Sequence, residues 1–284
     1  MSGPPEDAEV VLVTGANQGL GFALVESLST SLPPGSVLYL TGRNPTAVAA
    51  AAGSLAGNPV PPTAAYLDVT DPDSIAAVAE EIEKLYGGVT AVISNAAARI
   101  SPTRTQAEQV DMFVDTNNHG TTRMLAAFGP LLRDGARVVV VASAFGSLRN
   151  LRPELRSRFD VDTADLADID AAVDDYAELV RSGRDAAAGW PEWMNVASKV
   201  AQVATMKVFA RQHEEEFRER DIVVNACCPG LIDTDASRPW FPDMSTALTP
   251  AAASPDVSWL ATLPAGTREP YGELLQYRKV IPWL

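Results

Sequence analysis

The sequence predicts a doubly wound α/β fold, in which helices cover both faces of a parallel sheet. Short runs rich in β-branched residues alternate along the chain with longer segments whose apolar residues recur at helical spacing. The 284 residues include 46% hydrophobic and 20% charged residues, which is typical of a folded chain with a large core. Because strands and helices alternate in this way in βαβ units, we expect a single domain over residues 1–284.

The first half of the chain supplies four predicted strands and three predicted helices. The first, second and fourth strands are expected at residues 10–14, 37–41 and 89–94, and residues 66–69 are expected to be the end of the third strand. Helices are expected at residues 19–30 and 46–55, and a third begins at Asp71. There, a capping side chain at Asp71, Pro72 in the first turn and the early acid Asp73 all favour a helix start.

The second half continues the alternation but adds two irregular segments. Helices are expected within residues 106–132 and over 196–218, and strands at 137–142 and 222–226. Residues 146–190 form an insertion rich in Arg and Asp, which we interpret as a solvated helix pair that covers one flank. Residues 236–265 are rich in Pro, Ser and Ala, and we predict a substrate lid there, a long surface loop being the alternative.

The charge balance excludes several classes of partner. Lys and Arg number 22 against 36 Asp and Glu, and the formal charge is −14. Such a surface repels phosphate backbones and anionic lipids, so we expect a neutral or cationic small-molecule ligand and neither nucleic acid nor membrane. No apolar run reaches membrane-spanning length and the first residues do not resemble a secretory signal, so a cytoplasmic location is expected. Two adjacent cysteines, Cys227 and Cys228, and two histidines predict no metal site.

A Gly-rich turn lies between the first predicted strand and the first predicted helix. Gly15 suits a tight turn, Gly19 allows a pyrophosphate to approach the backbone, and Gly21 allows the helix to pack on the strand. The free N–H groups of the helix start face the anion. A purely structural turn is the alternative. The loop predicts cofactor contacts at Gly15, Asn17, Gln18, Gly19, Leu20 and Gly21.

Arg43 follows the second predicted strand and indicates which dinucleotide is bound. A site for NAD normally offers a carboxylate at this position to the ribose hydroxyls, whereas an arginine pairs with the additional phosphate of NADP. Thr41 and Gly42 are not acidic. The sequence therefore favours NADP(H), a surface arginine without a ligand being the alternative.

Further motifs give the chain a family resemblance. They are residues 14–21, Asp68-Val69, Asn95-Ala96-Ala97, residues 116–120, Val141-Ala142-Ser143 and residues 225–235. With these motifs the chain resembles the short-chain dehydrogenase/reductase family, and within it the monomeric carbonyl-reductase branch. The family's Asn-Ala-Gly turn ends here in Ala97 instead of Gly.

The resemblance implies a Rossmann fold, NADP(H) as cofactor and a set of site residues. Asn117, Ser143 and Lys199 match the family's catalytic positions. The implied cofactor contacts outside the Gly-rich loop are Arg43, Asp68, Val69, Asn95, Ala96, Lys199, Pro229, Gly230, Ile232 and Thr234. The insertion is typical of the monomeric branch, where it covers the face that other members use to oligomerise, so we expect a monomer.

One position departs from the family's catalytic motif. The family pairs Tyr with Lys in Tyr-x-x-x-Lys, a spacing that places both side chains on one helix face. Counting back four positions from Lys199 leads to Asn195. A Tyr phenol supplies the proton that ketone reduction requires, whereas an Asn amide orients an oxyanion by hydrogen bonding but does not release a proton.

This departure leaves three hypotheses for the function. An iminium nitrogen already carries its proton, so reduction of a cyclic C=N bond needs no enzyme acid, and we rank it first. Carbonyl reduction with another proton source is second, and an NADP-binding protein without redox activity is third. Predicted substrate contacts are Trp193, Asp233, Trp240 and Phe241, of which Asp233 is expected to meet a cationic amine.

Overall fold

A computed structural model describes residues 8–284. Eight strands form one sheet in the order β3-β2-β1-β4-β5-β6-β7-β8, and all neighbours are parallel except β7 and β8. The strands are β1 Val10–Val13, β2 Val37–Gly42, β3 Thr63–Tyr66, β4 Val89–Ser94, β5 Leu132–Val141, β6 Val223–Cys227, β7 Leu274–Gln276 and β8 Lys279–Ile281. After β3 at one edge, the chain returns to the centre of the sheet and forms β4 on the other side of β1. This switch in strand order creates the crevice where ligands bind in such folds. The predicted doubly wound α/β class is confirmed.

Helices cover both faces of the sheet. They are α1 Gly19–Ser31, α2 Pro45–Ser54, α3 Pro72–Tyr86, α4 Val110–Val114, α5 Gly120–Phe128, α6 Pro153–Arg156, α7 Leu166–Arg181, α8 Met194–Gln212, α9 Glu214–Glu219 and α10 Pro250–Ala261. The Asp71 carboxylate accepts a hydrogen bond from the Asp73 amide at the start of α3, as the capping pattern predicts. No helix among the described residues is long and apolar enough to cross a membrane.

Several element boundaries differ from the prediction. The third strand ends at Tyr66, so residues 67–69 lie beyond it. The helix predicted over 196–218 is divided at His213, whose backbone is not helical, into α8 and α9. The strands β7 and β8 were not predicted, because three residues are too few to show alternation, and they are joined by a turn at Tyr277 and Arg278.

The insertion is more deeply packed than a solvated helix pair. In α7, one face is buried against α8 and carries Ile169, Val173, Tyr176 and Val180, while the opposite face is charged. Trp190 at the end of the insertion is buried in the same cluster. The insertion thus covers the flank, as predicted, but it forms a third part of the hydrophobic core. The monomeric state stays a prediction.

The segment predicted as a lid contains a core helix. Ala253, Val257 and Leu260 of α10 are buried in the cluster that α1 also joins. Pro255 lies inside this helix and obscures its period in the sequence. The predicted lid over 236–265 is therefore too long, since residues 250–261 support the sheet and only the stretch before them borders a cavity.

Arg137, at the buried part of β5, joins three segments that are remote in the sequence. Its side chain is 3% exposed, and it donates hydrogen bonds to the carbonyls of Leu263, Pro264 and Gly135 at 3.1, 2.8 and 2.8 Å. Its Nη2 atom also lies 3.3 Å from the Asp221 carboxylate. The guanidinium satisfies carbonyl groups that no apolar side chain can satisfy.

We expect Arg137→Leu to lower the free energy of unfolding by about 3 kcal/mol or more, because it removes a buried donor from several carbonyls and the ionic partner of the partly buried Asp221 carboxylate, which keeps the Gly266 amide. Urea titration of both proteins measures this difference. Arg268→Leu removes an exposed arginine and serves as the control, with a change within about 0.5 kcal/mol. A loss below about 1 kcal/mol for Arg137→Leu would contradict the prediction.

Candidate active site

Two adjoining cavities open at the carboxyl ends of the parallel strands. The larger one has a volume of about 420 Å³ and lies between the ends of β4, β5 and β6 and the start of α8. The smaller one, of about 200 Å³, lies beside the Gly-rich turn and the end of β2. We call them the large cavity and the groove. Ala97 and Arg99 line both, so the two form one continuous cleft at the place where open α/β sheets bind their ligands.

The Gly-rich turn requires glycine at the positions that the sequence indicates. Gly15 and Gly19 have φ angles of 62° and 57°, which favour glycine. A Cβ atom at Gly21 would lie 2.5 Å from the Gly15 carbonyl oxygen. Gly19 is less crowded, since a Cβ atom there would meet the Thr234 methyl group at 3.9 Å, an ordinary van der Waals contact. Glycine at this position leaves the backbone uncovered by a side chain at the start of α1, where Gln18 provides no side-chain cap.

Most predicted cofactor residues border this cleft. The groove is lined by Gly15, Asn17, Gln18, Arg43, Asp68, Val69 and Ala96, and the large cavity by Lys199, Gly230, Ile232 and Thr234. Among the predicted set, five residues line neither cavity: Gly19, Leu20, Gly21, Asn95 and Pro229. The Leu20 side chain is in the core, which leaves only its backbone for a cofactor.

Asn95, which follows β4, stabilises the Gly-rich turn by hydrogen bonds. Its Nδ2 atom donates to the carbonyl oxygens of Thr14 and Gly15 at 2.9 and 3.3 Å. The Ala96 amide donates to Thr14 Oγ1 at 3.0 Å. The turn after β4 therefore holds the Gly-rich turn after β1 in place.

All four predicted catalytic residues line the large cavity: Asn117, Ser143, Asn195 and Lys199. They come from a π-helical segment Asp115–His119, from the end of β5 and from the first turns of α8. Ser143 accepts a hydrogen bond from the Phe145 amide at 3.3 Å. Among residues 8–284, the Asn195 side chain has no hydrogen-bond partner, and it is half-buried. Its amide is therefore available to a ligand.

Lys199 is connected to Asn117 by a chain of hydrogen bonds. Lys199 Nζ donates to Gln202 Oε1 at 2.6 Å, and Gln202 Nε2 donates to Thr121 Oγ1 at 3.0 Å. Thr121 Oγ1 in turn donates to the Asn117 carbonyl oxygen at 2.7 Å, while Asn117 Oδ1 accepts from the Ala98 amide at 2.8 Å. The chain fixes the lysine on one side of the cavity.

Burial lowers the pKa of Lys199 to about 8, and this effect exceeds the opposing effect of the Cys228 thiol. At neutral pH the side chain is therefore still an ammonium, but one that titrates within the range of ordinary assays.

Aromatic side chains form one wall of the large cavity. Trp193 contacts Phe145, Trp240 and Phe241, with ring centroids 5.3, 5.8 and 6.0 Å away. Trp240 Nε1 also donates to the Ile100 carbonyl oxygen at 3.3 Å. The predicted residues Trp193, Trp240 and Phe241 thus meet at the cavity and provide an apolar wall whose rings are inclined to one another.

The prediction that Asp233 meets a cationic ligand is not supported by its position. Asp233 does not line the large cavity, and its carboxylate pairs with Arg238 at 2.7 Å. Asp235 pairs with the same arginine at 2.9 Å. Among the described residues that line the cavity, the charged ones are Arg99 and Lys199, so its lining carries positive charge although the whole chain is acidic.

Sequence reasoning missed several polar side chains at the cleft or next to it, among them Gln202, Arg99 and Gln276. Gln202 lies one helical turn after Lys199, and i, i+3 spacing was a signal that could have indicated it. Arg99 follows the Asn95-Ala96-Ala97 turn, and Gln276 lies on β7, which was not predicted. No group of three or more histidine, cysteine or acidic side chains in residues 8–284 has the arrangement of a metal site.

A Gly-rich βα turn next to a cavity with Ser143, Asn117 and Lys199 at the sheet's crevice is typical of dinucleotide-dependent α/β oxidoreductases. A family model described as short chain dehydrogenase matches residues 9–152. The chain belongs to the short-chain dehydrogenase family.

Known relatives extend over the whole chain. Carbonyl reductase (NADPH) 1 of Rattus norvegicus is 31% identical over 282 residues, covering 98% of this chain and 99% of the relative. Carbonyl reductase (NADPH) 3 of Mus musculus is 31% identical over 280 residues, covering 97% and 99%.

Solved structures share the fold. Salutaridine reductase from Papaver somniferum has a TM-score of 0.78 at 23% identity, covering 94% of this chain and 99% of the other. Menthone neomenthol reductase from Mentha piperita has a TM-score of 0.75 at 22% identity, covering 95% and 98%.

Proposed function

We propose that the protein is an NADPH-dependent reductase that transfers hydride to the protonated C=N bond of a small cyclic substrate. One observation carries this proposal. Asn195 faces the cavity on α8, four positions before Lys199, where the family motif has its proton-donating Tyr. An iminium ion brings its own proton, so the reaction is compatible with an amide at this position.

The residues of the cleft fit NADP(H). The start of α1 at Gly19, which no side chain caps, suits the pyrophosphate. Arg43 lines the groove at the end of β2 and is exposed, and there it would bind the additional phosphate of NADPH. Two supporting observations come from relatives: the curated relatives carry NADPH in their names, and one structural neighbour with a TM-score of 0.69 is a dehydrogenase complexed with NADP.

When bound, the cofactor supplies the hydride. The substrate's C=N π electrons become the nitrogen lone pair, the nitrogen keeps its proton, and the products are a neutral amine and NADP⁺. Asn195 and Ser143 would orient the substrate by hydrogen bonds, while Lys199 would hold the nicotinamide ribose, as the family resemblance implies. The aromatic wall of Trp193, Trp240 and Phe241 would exclude water and pack against the substrate ring.

Carbonyl reduction is the second candidate, and a specific observation favours it. Relatives about 31% identical over nearly the whole chain are named carbonyl reductases. In this case, the alkoxide that forms must receive a proton from water or from a group other than Asn195.

The test compares matched substrates with NADPH. Purified protein is mixed with 2-phenyl-1-pyrroline or with acetophenone, and the loss of nicotinamide absorbance is followed. We expect turnover of the imine to exceed that of the ketone. Turnover of the ketone alone would overturn the proposal in favour of carbonyl reduction. Tight NADPH binding with neither turnover would favour a protein that binds NADP without redox activity.

A further inference from the structure

Arg99 occupies the junction of the two cavities and has little to bind within the protein. It lies on the loop after β4 and lines both the large cavity and the groove. Its side chain is 47% exposed, and its one ion pair in residues 8–284 is a long contact of 3.9 Å between Nη1 and the Asp235 carboxylate. That carboxylate already pairs with Arg238 at 2.9 Å. Most of the five guanidinium donors of Arg99 are thus free for a ligand.

The charge of Arg99 is not compensated by an acidic residue of the large cavity. The large cavity contains two cations, Arg99 and Lys199, and none of the acidic residues in the described part of the chain lines it. Like charges that face one cavity disfavour each other unless an anion lies between or beside them. The same field would also oppose the entry of an iminium ion. An anionic group on the bound molecules would resolve both problems.

The backbone on either side of Arg99 is held by hydrogen bonds. Neighbouring Ile100 accepts a hydrogen bond from Trp240 Nε1, which ties the loop that carries Arg99 to the aromatic wall. The Ala98 amide, on the other side, donates to Asn117 Oδ1 at 2.8 Å. Arg99 therefore projects from a loop that is held on both sides, which reduces the entropy that ligand binding must overcome.

We propose that Arg99 is an anion-binding residue of the cleft, which receives a carboxylate or phosphate group through charge-assisted, bidentate hydrogen bonds. Two molecules offer this chemistry: the pyrophosphate of the dinucleotide, and a carboxylate on the substrate. In the second case the inference rests on the proposed function and deepens it, since the substrate would carry both a C=N bond and an anionic group.

The experiment measures equilibrium binding, so it does not depend on turnover. Calorimetry first measures the affinity for NADP⁺ of the unaltered protein and of Arg99→Leu. Each NADP⁺ complex is then titrated with 2-phenyl-1-pyrroline and, separately, with its 4-carboxyphenyl derivative. Arg104→Leu is the matched control, because Arg104 lies on the same loop but borders neither cavity.

Each result has a definite meaning. If Arg99 binds the pyrophosphate, its replacement by Leu weakens NADP⁺ binding roughly 10-fold to 100-fold. If Arg99 binds the substrate, the affinity for NADP⁺ is unchanged in Arg99→Leu. The preference of the complex for the carboxylate derivative over 2-phenyl-1-pyrroline then falls by a similar factor. Arg99→Lys should restore part of the affinity in either case, because it keeps the charge but not the planar fork.

Affinities of Arg99→Leu equal to those of Arg104→Leu for all three ligands would overturn the inference. Failure of the proposed function appears differently, as absence of imine turnover in the unaltered protein while the Arg99-dependent binding persists.

Discussion

Replacing Asn195 by Tyr is expected to raise kcat/KM for ketones by about 100-fold or more, because it restores a general acid, and such groups contribute roughly 10²-fold to 10⁴-fold. Asn195 and Lys199 lie on one face of α8 at i, i+4 spacing, so the ammonium would lower the pKa of the new phenol. The large cavity of about 420 Å³ borders this position and gives the ring room.

Imine reduction in the same variant should change by less than about tenfold, because an iminium needs no acid. The measurement is steady-state kinetics with NADPH and the ketone and imine pair. Asn195→Phe is the control, since it adds the ring without the hydroxyl and should gain no ketone activity. An equal gain in both variants would mean that the ring fills space and does not donate a proton.

Replacing Lys199 by Met is expected to weaken NADPH binding by about 10-fold to 100-fold and to reduce turnover at least as much. Hydrogen bonds to a charged group contribute roughly 1.5–3 kcal/mol, and about 1.4 kcal/mol corresponds to a tenfold change. The variant keeps most of the length of the side chain but removes its charge. Lys84→Met, on the exposed side of α3, is the control and should bind NADPH normally.

The pH dependence of binding provides an independent readout for Lys199. Its pKa is lowered to about 8 by burial, so the cofactor-free protein loses this charge as the pH rises through that value. Because the ammonium form is the one that binds, NADPH affinity should fall above about pH 8 in the unaltered protein. Titration of cofactor fluorescence measures it. A flat profile in the unaltered protein, or the same decline in Lys199→Met, would contradict this role.

The parts of the fold that could be predicted depend on local chemistry. The start of α3 follows from Asp71 and Pro72, and the Gly-rich turn follows from the φ angles that Gly15 and Gly19 adopt. The helix α10 was missed because Pro255 interrupts its pattern, although its burial against the sheet overrides that residue. The strands β7 and β8 were missed because pairing with β6, and not local propensity, stabilises three residues as a strand.

In the candidate site, too, features that depend on local spacing could be predicted, and features that depend on the tertiary surroundings could not. The spacing of Asn195 and Lys199 places both on one helix face, and this holds wherever the helix lies. The role predicted for Asp233 depended instead on what surrounds it, and its carboxylate is paired with Arg238 outside the cavity.

By itself, the sequence determined the alternating α/β class, the Gly-rich turn and the absence of Tyr four positions before Lys199. Only the tertiary structure decided the charge of the cleft, which Arg99 and Lys199 make positive within a chain of charge −14. The physical reason is that periodicity and capping act over a few residues. The field inside a cavity, by contrast, depends on which side chains from distant segments face it and which are neutralised elsewhere.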